Sequence, residues 1–327
     1  MKSFVSLLSL LSALSLYAFD FTPYRTIVCF GDSITHGGFY PMYLQQYHAE
    51  NDPGHPRRFI NRGISGNTVK DLLDRADEML KTDKPDLVLV MIGTNDLLFT
   101  TKFAEKNLPF EDAAKKYPVF QRFEKQLGSL LDLFKQRGVA VVLLATPPYN
   151  ETSNPAVAAP LNANMDSSGV RNILVIEQRL AREKGAVWID IHAPLLKNLQ
   201  DHDSGTPRSK SDRVHPSKAE HLIIARTILG QNWVPGTAKA AAAEKYRQAQ
   251  AGIQGALLNM QRIPASCKTT EEKIAFYENW VARLKGVHHT YWSKQLPGLI
   301  ELVKNPEKKF DELHRKQDAA FNELYRK

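Results

Sequence analysis

Four short stretches of the chain carry side chains able to perform acyl transfer, three of them directly behind an apolar run. Gly31-Asp32-Ser33 brings a hydroxyl, and Gly63-Ile64-Ser65-Gly66-Asn67 a turn of exposed backbone amides. Gly93-Thr94-Asn95-Asp96 brings a carboxamide, and Asp212-Arg213-Val214-His215 places a carboxylate three residues before an imidazole. A serine hydroxyl becomes a useful nucleophile only when a base takes its proton, and an imidazole does so best when a carboxylate fixes its tautomer. Ser33, His215 and Asp212 would supply that set. Attack on an ester carbonyl makes a tetrahedral oxyanion that needs fixed donors, and the Ser33 amide, the Gly66 amide and the Asn95 side chain could converge on it.

Each stretch alone has a plainer role. Gly-Asp-Ser behind a strand makes a turn, Gly-Thr-Asn-Asp is ordinary loop chemistry, and Asp-x-x-His-Pro often starts a helix. It is their joint order and placement at strand ends that favours catalysis. Ser65 lacks the Gly-x-Ser-x-Gly spacing of a nucleophile elbow and reads as a turn residue. Asp96 is expected to cap or stabilise its loop, and Asp32 to tie down the segment carrying Ser33. Asp32, His36, Thr94 and Tyr149 are candidates for the pocket wall. His192, His202 and His221 have no partner at metal-site spacing, and His288-His289 lies in a helical region, so neither a metal nor a cofactor is expected. Cys29, among apolar neighbours, reads as an inert core thiol rather than a nucleophile. Two cysteines form no disulfide framework, and a Cys29–Cys267 bridge would have to join a central strand to a peripheral helix.

These residues need a scaffold that brings strand ends together. Five apolar runs, 26–30, 58–61, 86–92, 139–145 and 186–191, lack clean alternation, as strands do when both faces of a parallel sheet are covered. Helical patterns fall between them at 40–49, 68–80, 119–137 and 170–184, and a last one at 217–229 follows Pro216. Such alternation predicts a layered α/β domain, in which ligands bind beyond the carboxyl ends of the strands.

With these four blocks in order, the chain resembles the SGNH, or GDSL-type, hydrolase family of esterases and lipases over roughly residues 24–232. The resemblance puts the nucleophile on Ser33, the oxyanion glycine on Gly66 rather than Gly63, the oxyanion asparagine on Asn95, and the remaining triad members on Asp212 and His215. It implies a three-layer α/β/α sandwich of flavodoxin type, with a five-stranded parallel sheet and a serine mechanism without cofactor. The chain beyond lies outside the resemblance.

The expected organisation is a signal peptide over 1–18, a catalytic domain over 19–235 and a helical extension over 236–327. Lys2, an apolar run from Phe4 to Leu16 and small Ala18 fit a secretory signal, and the run is short for a membrane span. The extension shows helical patterns at 238–260, 269–284 and 306–326, the last with Phe310, Leu313, Gln317, Phe321 and Leu324 on one face. Of the net charge of +8, an excess of six basic residues lies in 237–327. The signs interleave, which predicts a solvated helical face rather than a binding site for an acidic polymer. No nucleic-acid partner and no stable membrane insertion are expected.

These features together predict an exported enzyme, periplasmic or extracellular, that cleaves short acyl groups from an ester substrate, an acylated glycan. Two alternatives stand beside this: a lipase- or phospholipase-type acylhydrolase, and a non-catalytic module that binds glycan or envelope. The polar, Asn/Pro-rich loop 146–168 is expected to overhang the site, where a lipase would present a more apolar rim. Within it, Asn150-Glu151-Thr152 matches a glycosylation triplet common enough to carry no weight.

Overall fold

The structure, a computed structural model, describes residues 18–98, 101–151, 162–201 and 213–326. Five strands, β1 (Thr26–Gly31), β2 (Arg58–Gly63), β3 (Leu87–Met91), β4 (Ala140–Leu144) and β5 (Val187–Ile189), form one parallel sheet in the order β2-β1-β3-β4-β5. Successive strand residues face opposite sides. Val28, Phe30, Val88, Val90, Val141 and Leu143 enter one core with α3 (Val69–Asp83), α6 (Pro118–Gln136) and α7 (Arg171–Lys184). Ile27, Cys29, Leu87, Leu89, Val142 and Leu144 enter the other with α2 (Phe39–Asn51) and α9 (Lys218–Leu229). Burial on both faces explains why the strand sequences do not alternate. The result is the expected three-layer α/β/α sandwich, and its strand order reverses between β1 and β3, where an open α/β sheet forms its ligand crevice.

Several elements were not visible in the sequence. Helices α1 (Ser33–His36), α4 (Thr94–Leu98) and α5 (Phe110–Lys116) are too short to show a helical period, and α8 (His192–Asp201) follows β5 closely with Pro194 in its first turn. Loop 146–168 runs into a π-helical turn (Met165–Val170) in which Asp166, Ser167 and Ser168 are all buried.

Four helices make up the C-terminal region: α10 (Thr237–Arg262), α11 (Thr270–Arg283), α12 (Gly286–Lys304) and α13 (Pro306–Tyr325). Helix α12, for which the sequence showed no bounded pattern, continues through Pro297. The region docks on the sandwich. Helix α10 lies along β2, the edge strand, and its Gln250 accepts from Asn61 N at 2.6 Å while donating to Phe59 O at 2.7 Å. Gln254 donates to Asn61 O at 2.6 Å, and Gln45 of α2 accepts from Phe59 N at 3.0 Å. These carboxamides pair with β2 as a neighbouring strand's peptides would, so the edge presents no free ladder to another chain. The glutamines of α10 therefore have a packing role. Helix α13 packs on α10, with Gln317, Phe321 and Leu324 buried. Both cysteines are free, and burial raises the Cys29 thiol pKa, in keeping with an inert core residue.

Candidate active site

Ser33 opens α1 directly behind β1. The Asp32 carboxylate caps this turn, accepting from Ile34 N at 2.9 Å, which is the anchoring role expected of it. Burial lifts the Asp32 pKa to about 6, against the lowering effects of the Ile34 bond and the His215 charge. The Ser33 N–H, in the first turn, has no acceptor within the helix.

Strand β2 is pressed against this turn. A methyl group on Gly63 would lie 2.2 Å from His36 N and 2.8 Å from Asp32 O, so only glycine permits the approach. Asn61 locks the contact, donating to Thr35 O at 2.8 Å and accepting from Gly63 N at 2.9 Å. His36 adds an Nδ1 contact to Gly63 O at 3.2 Å; a carbonyl only accepts, so Nδ1 carries the proton. Burial lowers its pKa, and its observed partner is this backbone oxygen.

Beyond Gly63 the chain makes a tight turn, with Asn67 N donating to Ile64 O at 3.2 Å. Gly66 occupies the third position with φ +84°, where a turn of this kind demands glycine. Nothing lies within 4 Å of where its side chain would point. Gly66 is thus selected by backbone conformation, whereas the close approach belongs to Gly63. Ser65 lies exposed within this turn, as expected.

Asn95, in α4 behind β3, is tied to the same turn by a 2.9 Å bond from its Nδ2 to Asn67 O. One N–H of the carboxamide is used in this way, and the second can serve an oxyanion. Asp96 accepts from Val69 N through both oxygens at 3.2 Å, the capping role anticipated for it, and burial raises its pKa to about 7. Arg75 of α3 was not singled out by sequence, since it occupies one position among many on an amphipathic helix. It donates to Asn67 Oδ1 at 2.8 Å and to Gly31 O at 3.1 Å, with its guanidinium 4.2 Å from the Phe30 ring. Burial brings its pKa down to about 9.

His215 arrives from the far end of the sheet. Arg213 and Val214 before it are buried and His215 is exposed, with Arg213 in the left-handed region at φ +67°. Asn150 N, in the loop behind β4, braces this segment by donating to Arg213 O at 3.0 Å. His215 Nε2 lies 2.7 Å from Ser33 Oγ. With Nε2 unprotonated, the serine O–H donates to it, which is the geometry a general base requires. Asp212 lies outside the described residues.

Thr94 is buried beside Asn95. Tyr149 is also buried and lines a separate polar cleft of about 400 Å³ with Asn150, Glu151 and Asp166, a cleft whose described walls include neither Ser33 nor His215. Asn150, in the glycosylation triplet, is buried as well. Among the described residues, no group of three or more His, Cys, Asp or Glu side chains could hold a metal ion, and no helix is long and apolar enough to cross a membrane.

The model of the GDSL-like lipase/acylhydrolase family matches residues 29–223, a span that takes in all four blocks. The chain belongs to this family. It is an ester-hydrolysing serine hydrolase. It is 36% identical over 184 residues, 54% of this chain and 74% of the relative, to an acetylxylan esterase of Geobacillus stearothermophilus. A crystal structure of an acetylxylan esterase from that organism aligns with 64% of this chain and 96% of its own, at 28% identity and a TM-score of 0.48. A gut microbial diltiazem-metabolizing enzyme shares the fold more broadly, with a TM-score of 0.71 at 15% identity over 92% of this chain and 94% of its own. That span reaches into the C-terminal helices, so the sandwich and its helical region recur together in another protein.

Proposed function

We propose that this chain is an exported serine esterase that removes short acyl groups, acetyl above all, from carbohydrate through an acyl-enzyme. The observation that carries the mechanism is the 2.7 Å contact between Ser33 Oγ and His215 Nε2. Ser33 Oγ attacks the ester carbonyl as its proton passes to His215. The oxyanion takes hydrogen bonds from the Ser33 and Gly66 amides and the Asn95 side chain. The C–O bond to the alcohol breaks, and His215 returns its proton to that leaving oxygen. Water, deprotonated by His215, then attacks the acyl carbon; the bond to Oγ breaks, Oγ recovers a proton, and the carboxylic acid departs. Asp212 stays ionised and holds the imidazole in its working tautomer.

The carbohydrate assignment is supported by the acetylxylan esterase relative and by the polar loop behind β4. Export is supported by the apolar run behind Lys2, and by the first residues after Ala18 being tied to the sandwich: Phe19 N donates to Ile228 O at 3.3 Å and the buried Phe21 ring meets Phe59. The substrate assignment is tested with p-nitrophenyl esters from acetate to palmitate and with acetylated xylo-oligosaccharides, following acid release. Turnover confined to short esters and to the acetylated sugar is expected. Preference for palmitate would replace this reading with a lipase, and binding of the sugar without acid release would replace it with a binding module.

A further inference from the structure

Thr146, the second residue past β4, is a junction between the two halves of the site. Its hydroxyl lies 2.6 Å from Ile92 O, and a methyl group on neighbouring Gly93 would lie 2.4 Å from the same hydroxyl, so Thr146 fixes the end of β3 just before Asn95. Its carbonyl meets His192 Nδ1 at 3.0 Å, and that imidazole reaches toward Asp166 Oδ2 at 3.9 Å. Asp166 in turn accepts from Tyr149 N at 2.8 Å. Four residues after Thr146, Asn150 N holds Arg213 O, two residues before His215.

Thr146 is itself gripped by Glu177 of α7, whose side chain is fully buried. Glu177 Oε2 accepts from Thr146 N at 3.1 Å, and Oε1 lies 2.7 Å from Thr146 Oγ1. A threonine hydroxyl has one proton. Because Ile92 O can only accept, that proton goes to Ile92, and the contact with Oε1 needs a proton from the glutamate. The hydrogen-bond pattern closes only when Glu177 is a carboxylic acid.

We propose that Glu177, held as a neutral carboxylic acid, is a positioning residue of the active site: through Thr146 it sets the end of β3 that delivers Asn95 and the loop that braces His215. This rests on the assignment of Ser33 and His215 above. Its surroundings keep the proton in place. Burial raises the Glu177 pKa to about 8, against the lowering effects of the Thr146 and Trp188 hydrogen bonds, and the charge of Asp190 behind β5 adds a smaller raise. The other titratable groups near the junction, His192 and Asp166, sit on the carbonyl side of Thr146. Loss of the proton would set a carboxylate oxygen against the Thr146 hydroxyl oxygen and release the junction.

The test is the pH dependence of kcat on p-nitrophenyl acetate, from about pH 6 to about pH 10, for wild type, Glu177→Gln, Glu177→Ala and Ser33→Ala. The glutamine amide can donate to Thr146 Oγ1 and accept from Thr146 N with no proton to lose. Wild type should lose kcat reversibly as pH rises through about 8, while Glu177→Gln keeps it. Glu177→Ala, if it folds, should be about tenfold slower at every pH, as expected for a displaced catalytic group. An alkaline limb identical in wild type and Glu177→Gln overturns the proposal.

Melting temperature gives an independent readout. The native state keeps a proton that the unfolded chain loses above the ordinary value of 4.5, so wild-type stability should fall as pH rises from there to about 8. Glu177→Gln should show a shallower fall, lacking the share of Glu177 and keeping those of Asp96 and Asp32, whose pKa values are raised as well. A wild type without Ser33-dependent hydrolysis would refute the serine assignment, and the melting comparison would still decide whether Glu177 holds a proton.

Discussion

Ser33, the proposed nucleophile, and His215, the proposed base, are held in place by different physics. Ser33 sits in a knot of backbone: Gly63 against His36 N, the Asn61 carboxamide bridging Thr35 and Gly63, and the Asp32 cap. His215 is reached from a buried side-chain pair, Glu177 and Thr146, along the loop to the backbone bond between Asn150 and Arg213, with Arg213 in an uncommon backbone conformation. The steric locks have no protonation state, and the acids beside them, Asp32 and Asp96, have pKa values of about 6 and about 7, whereas Glu177, at the start of the histidine-side chain, has one of about 8. The comparison teaches that the serine side should fail through packing mutations and the histidine side through pH.

The sharpest way to break this contrast is Gly63→Ala. The added methyl has no room, so kcat should fall about 100-fold through displacement of Ser33. Stability should drop by about 1–3 kcal/mol from overpacking, read by urea unfolding beside the assay. Near-normal kcat at every pH would mean that the serine side is not locked sterically. A milder effect is expected at Arg75, which holds the oxyanion turn from behind. Arg75→Met should lower kcat about tenfold while moving KM little, the pattern of weakened transition-state stabilisation.

Gln250→Leu probes the outer flank of the serine side, where Gln250 holds the backbone of Asn61. It strands the Asn61 N–H and the Phe59 carbonyl at the β2 edge, and should cost about 1–3 kcal/mol of stability. The effect on kcat, measured at a temperature where both proteins are folded, should stay within about twofold, since Gln250 bonds the Asn61 backbone while the Asn61 carboxamide keeps its own bonds to Thr35 and Gly63. The smallest effect concerns Asp96, a buried acid on the serine side. Its pKa is raised from 3.8 to about 7, so the native state holds a proton that the unfolded chain has lost, and stability declines as pH rises through that window. Urea midpoints of Asp96→Asn should lack this component, with kcat changing far less across the window than it does on the Glu177 side.

Much of the serine side was legible because its determinants are local. Strand ends, Gly-Asp-Ser and Gly-Thr-Asn-Asp are contiguous words, and burial on both faces writes the strands as unbroken apolar runs. Gly66 answers to a positive φ and Gly63 to a close approach, two different demands that leave the same letter in a sequence. Tertiary contacts were not legible. Arg75 reaches back eight residues from its helix to Asn67 in the turn ahead of it, Glu177 meets Thr146 across thirty-one, and Gln250 meets Asn61 across one hundred and eighty-nine. A single chain encodes each partner without marking the pair. The glutamines of α10 carry no local mark of their role, because it depends on an edge strand that only the fold brings beside them.

The central claim is that Ser33 attacks and His215 takes its proton. The most direct measurement is kcat of Ser33→Ala on p-nitrophenyl acetate, with the melting temperature measured on the same preparation. A fall of at least about 1,000-fold at unchanged melting temperature is predicted, as for other serine triads. Turnover close to wild type in a folded Ser33→Ala protein would contradict the account.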